Sequence, residues 1–325
     1  MQNSQYVLAE EMVDAIHGVL GFHPGFRALH AQGNLYRGTF TATPEAKKLS
    51  RAVHLQGNPV PVTVRFSIGG GDPDAPPKAT VGMATKFYLP DGRVTDLVTL
   101  NAPSFFIRKP EELVPLAHAL APVPATGQPD PVLLQAFLAT HPATAAALEV
   151  RHKMQSPVSF SKTGFFGIHA FRFLNAEGVA RYAKYHWIPE DGVAGQTVAE
   201  LQQHPNNYLF EEMARRVEQG PVKFVLKLEL AEPGDPLDDA TAIWPDGREM
   251  VTVGHLEVVA PTSLEEIGNP VMLHDPTRVT DGIELSDDPI VQVRRGVYEV
   301  SAAQRTGGWH SCPFAAIAGD AGAKL

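Results

Sequence analysis

The chain has 325 residues, 44% of them apolar, enough for one large domain or two ordinary ones with a substantial core. Its net charge of −9 and pI near 5.8 give no basic field for nucleic acid or an anionic membrane. The only cysteine, Cys312, excludes an intramolecular disulfide and a cysteine-based zinc cluster. No signal peptide and no stretch of ~20 apolar residues is evident, so a cytoplasmic protein is expected.

Periodic patterns predict both helices and strands along the chain. Helices are expected at 5–19, 111–121, 132–152, 198–204, 206–219 and 288–304. Alternating residues predict strands at 38–41, 60–68, 82–89, 93–100, 166–175, 179–187, 222–231 and 249–259. Hairpin-like connections such as Pro90-Asp91-Gly92 make the sheet antiparallel. The fold class is therefore α+β, an antiparallel eight-stranded β-barrel with flanking helices.

The Pro-rich stretch 122–131 is a candidate domain boundary, but strands resume after it. It is therefore interpreted as a surface crossover within one domain that covers residues 1–325. A flexible tail is expected from about residue 306, because the composition there is rich in small residues. Gly69-Gly70-Gly71 lacks a following Gly-Lys-Ser/Thr, which favours a loop over a phosphate cradle.

The last predicted helix carries Arg294, Tyr298 and Arg305 near one face. A phenol in this position can ligate a ferric ion as phenolate, while a neighbouring guanidinium stabilises the negative charge. The second cation, Arg305, can form an ion pair with an anionic group of the same cofactor. Taken alone, such a face is more often a solvated or cation–π-packed helix surface.

Other polar residues at the ends of predicted strands are ambiguous when taken singly. His30 would usually be a surface or satisfied core histidine, and Asn101 before Pro103 an ordinary turn residue. In order along the chain, however, they belong to a larger set of motifs. The set comprises Arg27-Ala28-Leu29-His30-Ala31 with Gly33, Arg65-Phe66-Ser67, Lys86-Phe87-Tyr88, Asp96-Leu97, Asn101-Ala102-Pro103-Ser104-Phe105-Phe106-Ile107-Arg108, Gly167-Ile168-His169-Ala170-Phe171, Arg294, Tyr298 and Arg305.

This ordered set resembles the haem catalase family over nearly the whole chain, and specifically its short branch of catalase-related peroxidases. The resemblance implies haem b, with Tyr298 as the iron ligand and Arg294 holding it as phenolate. His30 and Asn101 would be the catalytic polar pair, with Ser67 orienting the His30 ring. The remaining implied cofactor contacts are Arg27, Arg65 and Arg305 at the haem propionates and Phe106 in the pocket wall.

The chemistry of peroxide cleavage suits these residue types. A neutral imidazole can take a proton from one peroxide oxygen and return it to the other. An amide can hold the second oxygen without adding charge. Haem propionates bring two negative charges into a buried site, which costs free energy. Guanidiniums paired with the propionates offset that cost.

Differences from long catalases set further expectations. The chain has little before His30 and almost nothing after residue 305, so a homodimer is expected rather than an entwined tetramer. Gly69 stands where long catalases have a valine, and Lys78-Ala79-Thr80-Val81-Gly82 lacks their channel acid. We therefore expect a wide channel, organic hydroperoxides as well as hydrogen peroxide as substrates, a small-molecule electron donor and weak catalase activity.

Two other functions remain open from the sequence. One is a lipid-hydroperoxide isomerase on the same scaffold, and the other a haem carrier or peroxide sensor without catalysis. His310-Ser311-Cys312 supplies only two possible ligands, which is too few to predict a separate metal site.

Overall fold

The computed structural model describes residues 2–124 and 126–307, with side chains from Tyr6 onward. The described helices are α1 Gln2–Leu20, α2 Ala46–Leu49, α3 Leu113–Leu120, α4 Pro131–Thr140, α5 Pro142–Lys153, α6 Val198–Leu201, α7 Tyr208–Gln219, α8 Leu264–Ile267 and α9 Pro289–Arg305. The strands are β1 Gly33–Ala42, β2 Val60–Ile68, β3 Val81–Tyr88, β4 Val94–Leu100, β5 Ser156–Pro157, β6 Phe165–Phe166, β7 Phe171–Leu174, β8 Ala180–Pro189, β9 Gly195–Gln196, β10 Val222–Leu230, β11 Met250–Thr262 and β12 Ile283–Leu285.

The main sheet closes on itself. Antiparallel pairing runs β1-β2-β3-β4-β6-β8-β10-β11 and returns from β11 to β1, so eight of the described strands form a barrel. Strands β7 and β12 extend the sheet outward from β8. The predicted closed antiparallel barrel with flanking helices is thereby confirmed.

Large apolar side chains fill the barrel interior. Phe40, Phe66, Trp187 and Phe224 are fully buried there, and the ring centroids of Phe40 and Trp187, and of Phe66 and Phe224, lie 6.0 Å apart. Because side chains alternate along a strand, the same strands present a second set of residues outside the barrel. Helices α1, α3 and α9 pack together over that outer side.

Two predicted elements are interrupted. The helix expected at 132–152 is two helices, α4 and α5, bent by 119° at His141. Pro142 is the cause, since a proline keeps the preceding residue out of the helical region, and His141 has φ −125° and ψ 69°. No single helix among the described residues has the length and apolar character of a membrane span, and only this bent pair approaches them.

The strand expected at 166–175 is likewise two short strands with a bulge between them. Phe166 pairs with His186, and Phe171 pairs with Ala183, so the chain advances five residues while β8 advances three. The extra residues leave the ladder, which is how a β-bulge redirects side chains. This bulge carries His169.

We predict that Gly254→Ala destabilises the barrel, because a Cβ at this β11 position would overlap the buried Phe40 ring. Overpacking of this kind costs about 1–3 kcal/mol of unfolding free energy, which urea unfolding would measure. The matched control is Gly18→Ala in α1, where a Cβ meets nothing within 4 Å. That helical substitution should stabilise by about 0.5–1 kcal/mol, and equal effects of the two changes would contradict the packing argument.

Candidate active site

A cavity lies between the outer barrel wall and the helices. Its volume is about 330 Å³, within the range of about 300–1,000 Å³ typical of small-molecule sites. Strands β2, β3 and β4 form one wall, and α1, α3 and α9 contribute others. Strand alternation explains the wall: Phe66 points into the barrel core, whereas Arg65 and Ser67 line the cavity.

Helix α9 presents one continuous face to this cavity. Asp288 caps the helix by accepting a hydrogen bond from the Ile290 N–H at 2.8 Å, and Pro289 occupies the first turn. The cavity-lining residues follow the helical spacing of three or four: Ile290, Val293, Arg294, Val297, Tyr298, Ser301 and Arg305. The structure thus brings the three predicted α9 residues into one cavity.

A chain of hydrogen bonds, buried at its Asp288 end, runs from Asp288 to the Tyr298 hydroxyl. Arg294 donates through Nη2 to Tyr298 Oη and through Nη1 to His169 Nε2, the latter at 3.0 Å. Because Nε2 accepts, Nδ1 carries the proton and donates to Asp288 Oδ2 at 2.6 Å. Burial lowers the pKa of His169, against the opposing effect of Asp288. The guanidinium is therefore fixed where it can stabilise a phenolate.

No local sequence pattern assigns a role to His169 or Asp288. His169 lies in the Gly167–Phe171 motif and Asp288 at the start of the predicted last helix. Because 119 residues separate them, the sequence does not reveal their contact. The bulge between β6 and β7 brings His169 to α9. The only available signal was a histidine within an irregular Gly-containing segment.

His30 is held by a strained backbone and a serine. It is the only non-glycine residue with positive φ in the described chain, at 57°, a conformation that costs about 1–3 kcal/mol and clusters at functional sites. Its Nδ1 lies 3.1 Å from Ser67 Oγ, and Ser67 lies 3.4 Å from the Gly82 carbonyl oxygen, to which it donates. Nδ1 therefore carries the proton and Nε2 keeps its lone pair.

Gly82 makes room for this arrangement. A Cβ at Gly82 would lie 3.0 Å from Ser67 Oγ and 3.2 Å from His30 Cε1. His30 is half-buried: its ring is exposed only to the cavity and is otherwise surrounded by protein. Burial, followed by the positive charges of Arg65 and Arg294, lowers the pKa of His30 to about 3. The ring is consequently a neutral imidazole at ordinary pH.

Three guanidiniums converge at another part of the cavity. Arg27 donates to the Met272 carbonyl at 2.7 Å, and Arg65 donates to the carbonyls of His30 at 3.0 Å and Ala31 at 3.2 Å. Arg305 also reaches the Met272 carbonyl, at 3.4 Å. Burial first, then the other arginines, lowers the pKa of Arg27 well below its usual range and that of Arg65 to about 10.

These cations make the cavity fit a ligand with carboxylates. Within 2–124 and 126–307, neither Arg27 nor Arg65 forms an ion pair with a protein carboxylate. Gly33 is needed for the arrangement, because a Cβ there would overlap the Arg65 guanidinium. A buried guanidinium without a counter-charge is costly, so a bound dicarboxylate such as haem would offset the cost. Tyr298, predicted to be the iron ligand, lines the same cavity.

Phe106 and Asn101 differ in their placement. Phe106 lines the cavity, with its ring centroid 4.3 Å from that of Phe105 and the Arg151 guanidinium 5.6 Å away. Asn101 donates to the Ala79 carbonyl at 2.8 Å and accepts from the Val81 N–H at 2.9 Å, and it is not a lining residue. Its amide stabilises the neighbouring loop here, so its role toward substrate stays a prediction.

The predicted constriction site also lies off the cavity. A Cβ at Gly69 would meet the Thr80 carbonyl oxygen at 3.1 Å and Thr80 Cβ at 3.2 Å. Thr80 therefore fills the space that a side chain at Gly69 would take, and the explanation of a wide channel through Gly69 has no support in this geometry. His310, Cys312 and the tail beyond residue 307 lie outside the described residues.

We predict that His30→Gln flattens the acid dependence of stability in the ligand-free protein. Between the unfolded-state pKa of about 6.5 and the folded value of about 3, the unfolded chain binds one more proton at His30 than the folded chain. Acidification from pH 6.5 therefore removes about 1.4 kcal/mol per pH unit. Urea unfolding at several pH values should show a slope smaller by that amount in the variant; identical slopes would contradict the buried neutral state.

Comparisons with known proteins agree with this geometry. The family model described as Catalase matches residues 25–313. A catalase-related peroxidase of Mycolicibacterium paratuberculosis is 40% identical over 302 residues, covering 92% of this chain and 95% of the relative. A second, from Synechococcus elongatus, is 36% identical and covers 93% and 90%.

A solved bacterial catalase shares the fold, with a TM-score of 0.76 and 24% identity over 87% of this chain and 58% of that one. Proteins of the matched family bind haem, and the family model and the two relatives span most of this sequence. The chain therefore belongs to the catalase family and is a haem peroxidase on the catalase scaffold.

Proposed function

We propose that this peroxidase reduces organic hydroperoxides, and hydrogen peroxide, with electrons from a small-molecule donor. One observation carries the proposal: a neutral His30 fixed by Ser67 lines the same mainly apolar cavity as the Tyr298–Arg294 pair. The reaction converts ROOH, two electrons and two protons into ROH and water. The oxidised donor leaves as the second product.

The cofactor we propose is haem b, held without covalent attachment. The single cysteine cannot form the Cys-x-x-Cys-His motif of covalently attached haem. Tyr298 would ligate the iron as phenolate, stabilised by the Arg294 guanidinium that His169 and Asp288 fix in place. When bound, haem iron supplies the redox chemistry. Arg27, Arg65 and Arg305 would bind its propionates.

The proton transfer is assigned to His30. Nδ1 is committed to Ser67, so Nε2 is the atom that accepts the proton of the hydroperoxide. An imidazolium in this site is destabilised by burial and by Arg65 and Arg294, which lower the pKa of His30. The same electrostatics favour release of the proton to the departing oxygen, so the ring returns to its neutral state after each turnover.

The preference for organic hydroperoxides is supported by the cavity walls. Apolar side chains from α1 and α3 dominate them: Met12, Ile16, Val19, Leu20, Leu113, Leu116, Ala117 and Leu120. Burying an alkyl group against such a wall contributes about 25 cal/mol of favourable binding free energy per Å² of apolar surface removed from water. Hydrogen peroxide has no alkyl group and gains nothing from this term. The homodimer and the identity of the donor stay predictions.

We predict that the protein expressed with haem supply shows the absorption of five-coordinate high-spin ferric haem with a tyrosinate ligand. It should oxidise a donor such as a phenol stoichiometrically with cumene hydroperoxide, and release little oxygen from hydrogen peroxide. Product analysis and donor consumption are the measurements. Rearranged product without donor loss would indicate an isomerase instead. Haem binding with slow peroxide reaction would indicate a carrier or sensor.

We further predict that Gly82→Ala slows the reaction with hydroperoxide by about 10- to 100-fold, because a shift of the catalytic group of up to ~1 Å has this scale of effect. The new Cβ would press on Ser67 Oγ and His30 Cε1. Stopped-flow absorption of the haem band measures the rate at unchanged haem content.

The matched control is Gly69→Ala, whose Cβ would crowd Thr80 at 3.1–3.2 Å without contacting His30. Its rate should stay within about twofold of the wild type, since the ring geometry is preserved. Equal losses in both variants would show that the effect of Gly82→Ala is general crowding of the loop.

A further inference from the structure

His274 is a buried histidine that takes no part in the proposed proton transfer. It lies between α8 and β12, is 4% exposed and lines the cavity. Neither Nδ1 nor Nε2 has a hydrogen-bond partner among the described residues. Buried polar groups are nearly always paired, and leaving one unpaired costs about 1–3 kcal/mol. A ligand that enters the cavity can supply the missing partner.

The backbone that carries His274 is firmly anchored. The N–H of the next residue, Asp275, donates to Asp96 Oδ2 at 2.9 Å. Asp96 is itself buried and paired with Lys86 at 2.6 Å and Arg278 at 2.7 Å. The imidazole position is therefore set by a buried ionic cluster and not by an adaptable surface loop.

The surroundings of His274 indicate what it would bind. Burial first, then the positive charges of Lys86, Arg27, Arg65 and Arg278, lowers its pKa well below the usual value. A neutral imidazole carries one N–H donor and one acceptor nitrogen. Since the surrounding charges are positive, an acceptor with negative charge is the favoured partner for its N–H.

We propose that His274 donates a hydrogen bond to a haem carboxylate, and so joins Arg27 and Arg65 in the propionate-binding end of the cavity. This inference rests on the proposed haem binding. A phenylalanine would fill similar space without the cost of unpaired nitrogens, so a histidine here is explained by a polar ligand. The contribution is to retention of the cofactor and not to proton transfer at the peroxide.

The test is the rate of haem loss to excess apomyoglobin, with His274→Phe compared with wild type. Each protein is loaded with haem or with haem dimethyl ester, whose esterified carboxyl groups carry no charge. We expect His274→Phe to lose haem about 10-fold faster, the scale of one hydrogen bond to a charged group. With the dimethyl ester, the two proteins should differ by less than about twofold, because an ester is a weaker acceptor.

His54→Phe is the matched control. His54 is equally buried, at 4% exposure, and its Nδ1 also lacks a partner. It lies in the barrel beside Phe87, at a ring distance of 5.0 Å, and does not line the cavity. Its substitution should leave the rate of haem loss unchanged.

The possible outcomes distinguish the role of His274 from haem binding itself. An unchanged rate in His274→Phe, or equal acceleration with haem and its dimethyl ester, would overturn the His274 assignment while haem binding by the wild type stands. Failure of the wild type to take up haem would overturn both. Should His274→Phe not fold, His274→Leu carries the test, since it also removes the N–H donor and should likewise lose haem about 10-fold faster; an unchanged rate in that variant would overturn the assignment.

Discussion

Buried positive charge is the constraint on which the rest of this structure depends. Arg27 and Arg65 are enclosed beside one another and beside Arg305, and their mutual repulsion adds to the cost of burial. Backbone carbonyls such as that of Met272 offset part of this cost. A dicarboxylate ligand offsets more, so its binding energy becomes folding stability in the holoprotein. With the propionates bound as proposed, the arginine cluster would couple cofactor retention to the stability of the cavity.

Helix α9 connects that cluster to the part of the cavity lined by Tyr298, the proposed iron ligand. Arg305 lies near its last turn and Tyr298 in its middle, while Asp288 both caps its start and orients His169. The hydrogen bonds through Arg294 then fix the phenol. A rotation of the helix would break several of these contacts together. The rigid barrel, through the bulge that carries His169, thus determines the orientation of a side chain on a separate helix.

The sequence predicted what depends on local spacing. Alternation identified the barrel strands, and helical spacing placed Arg294 and Tyr298 on the face that lines the cavity. It missed the break before Pro142, although the proline rule could have found it. Two contacts depend on how distant segments pack together, which no local pattern reveals. They are the His169–Asp288 hydrogen bond and the hydrogen bond from the Asn101 amide to the Ala79 carbonyl. Which side chains share the cavity was therefore more predictable than the contacts that orient them.

The expectation of a wide channel at Gly69 stays a prediction. Thr80 occupies the space beside Gly69, where a Cβ would lie 3.1 Å from the Thr80 carbonyl oxygen. The proposed substrate preference rests instead on the apolar walls contributed by α1 and α3, where the porphyrin ring would leave them uncovered. Burying about 100 Å² of alkyl surface against them would contribute about 2.5 kcal/mol, which is tens of fold in affinity. Among the polar groups that line the cavity, His30 carries the free imidazole nitrogen Nε2, so the proposed position for the hydroperoxide end of a substrate is beside it.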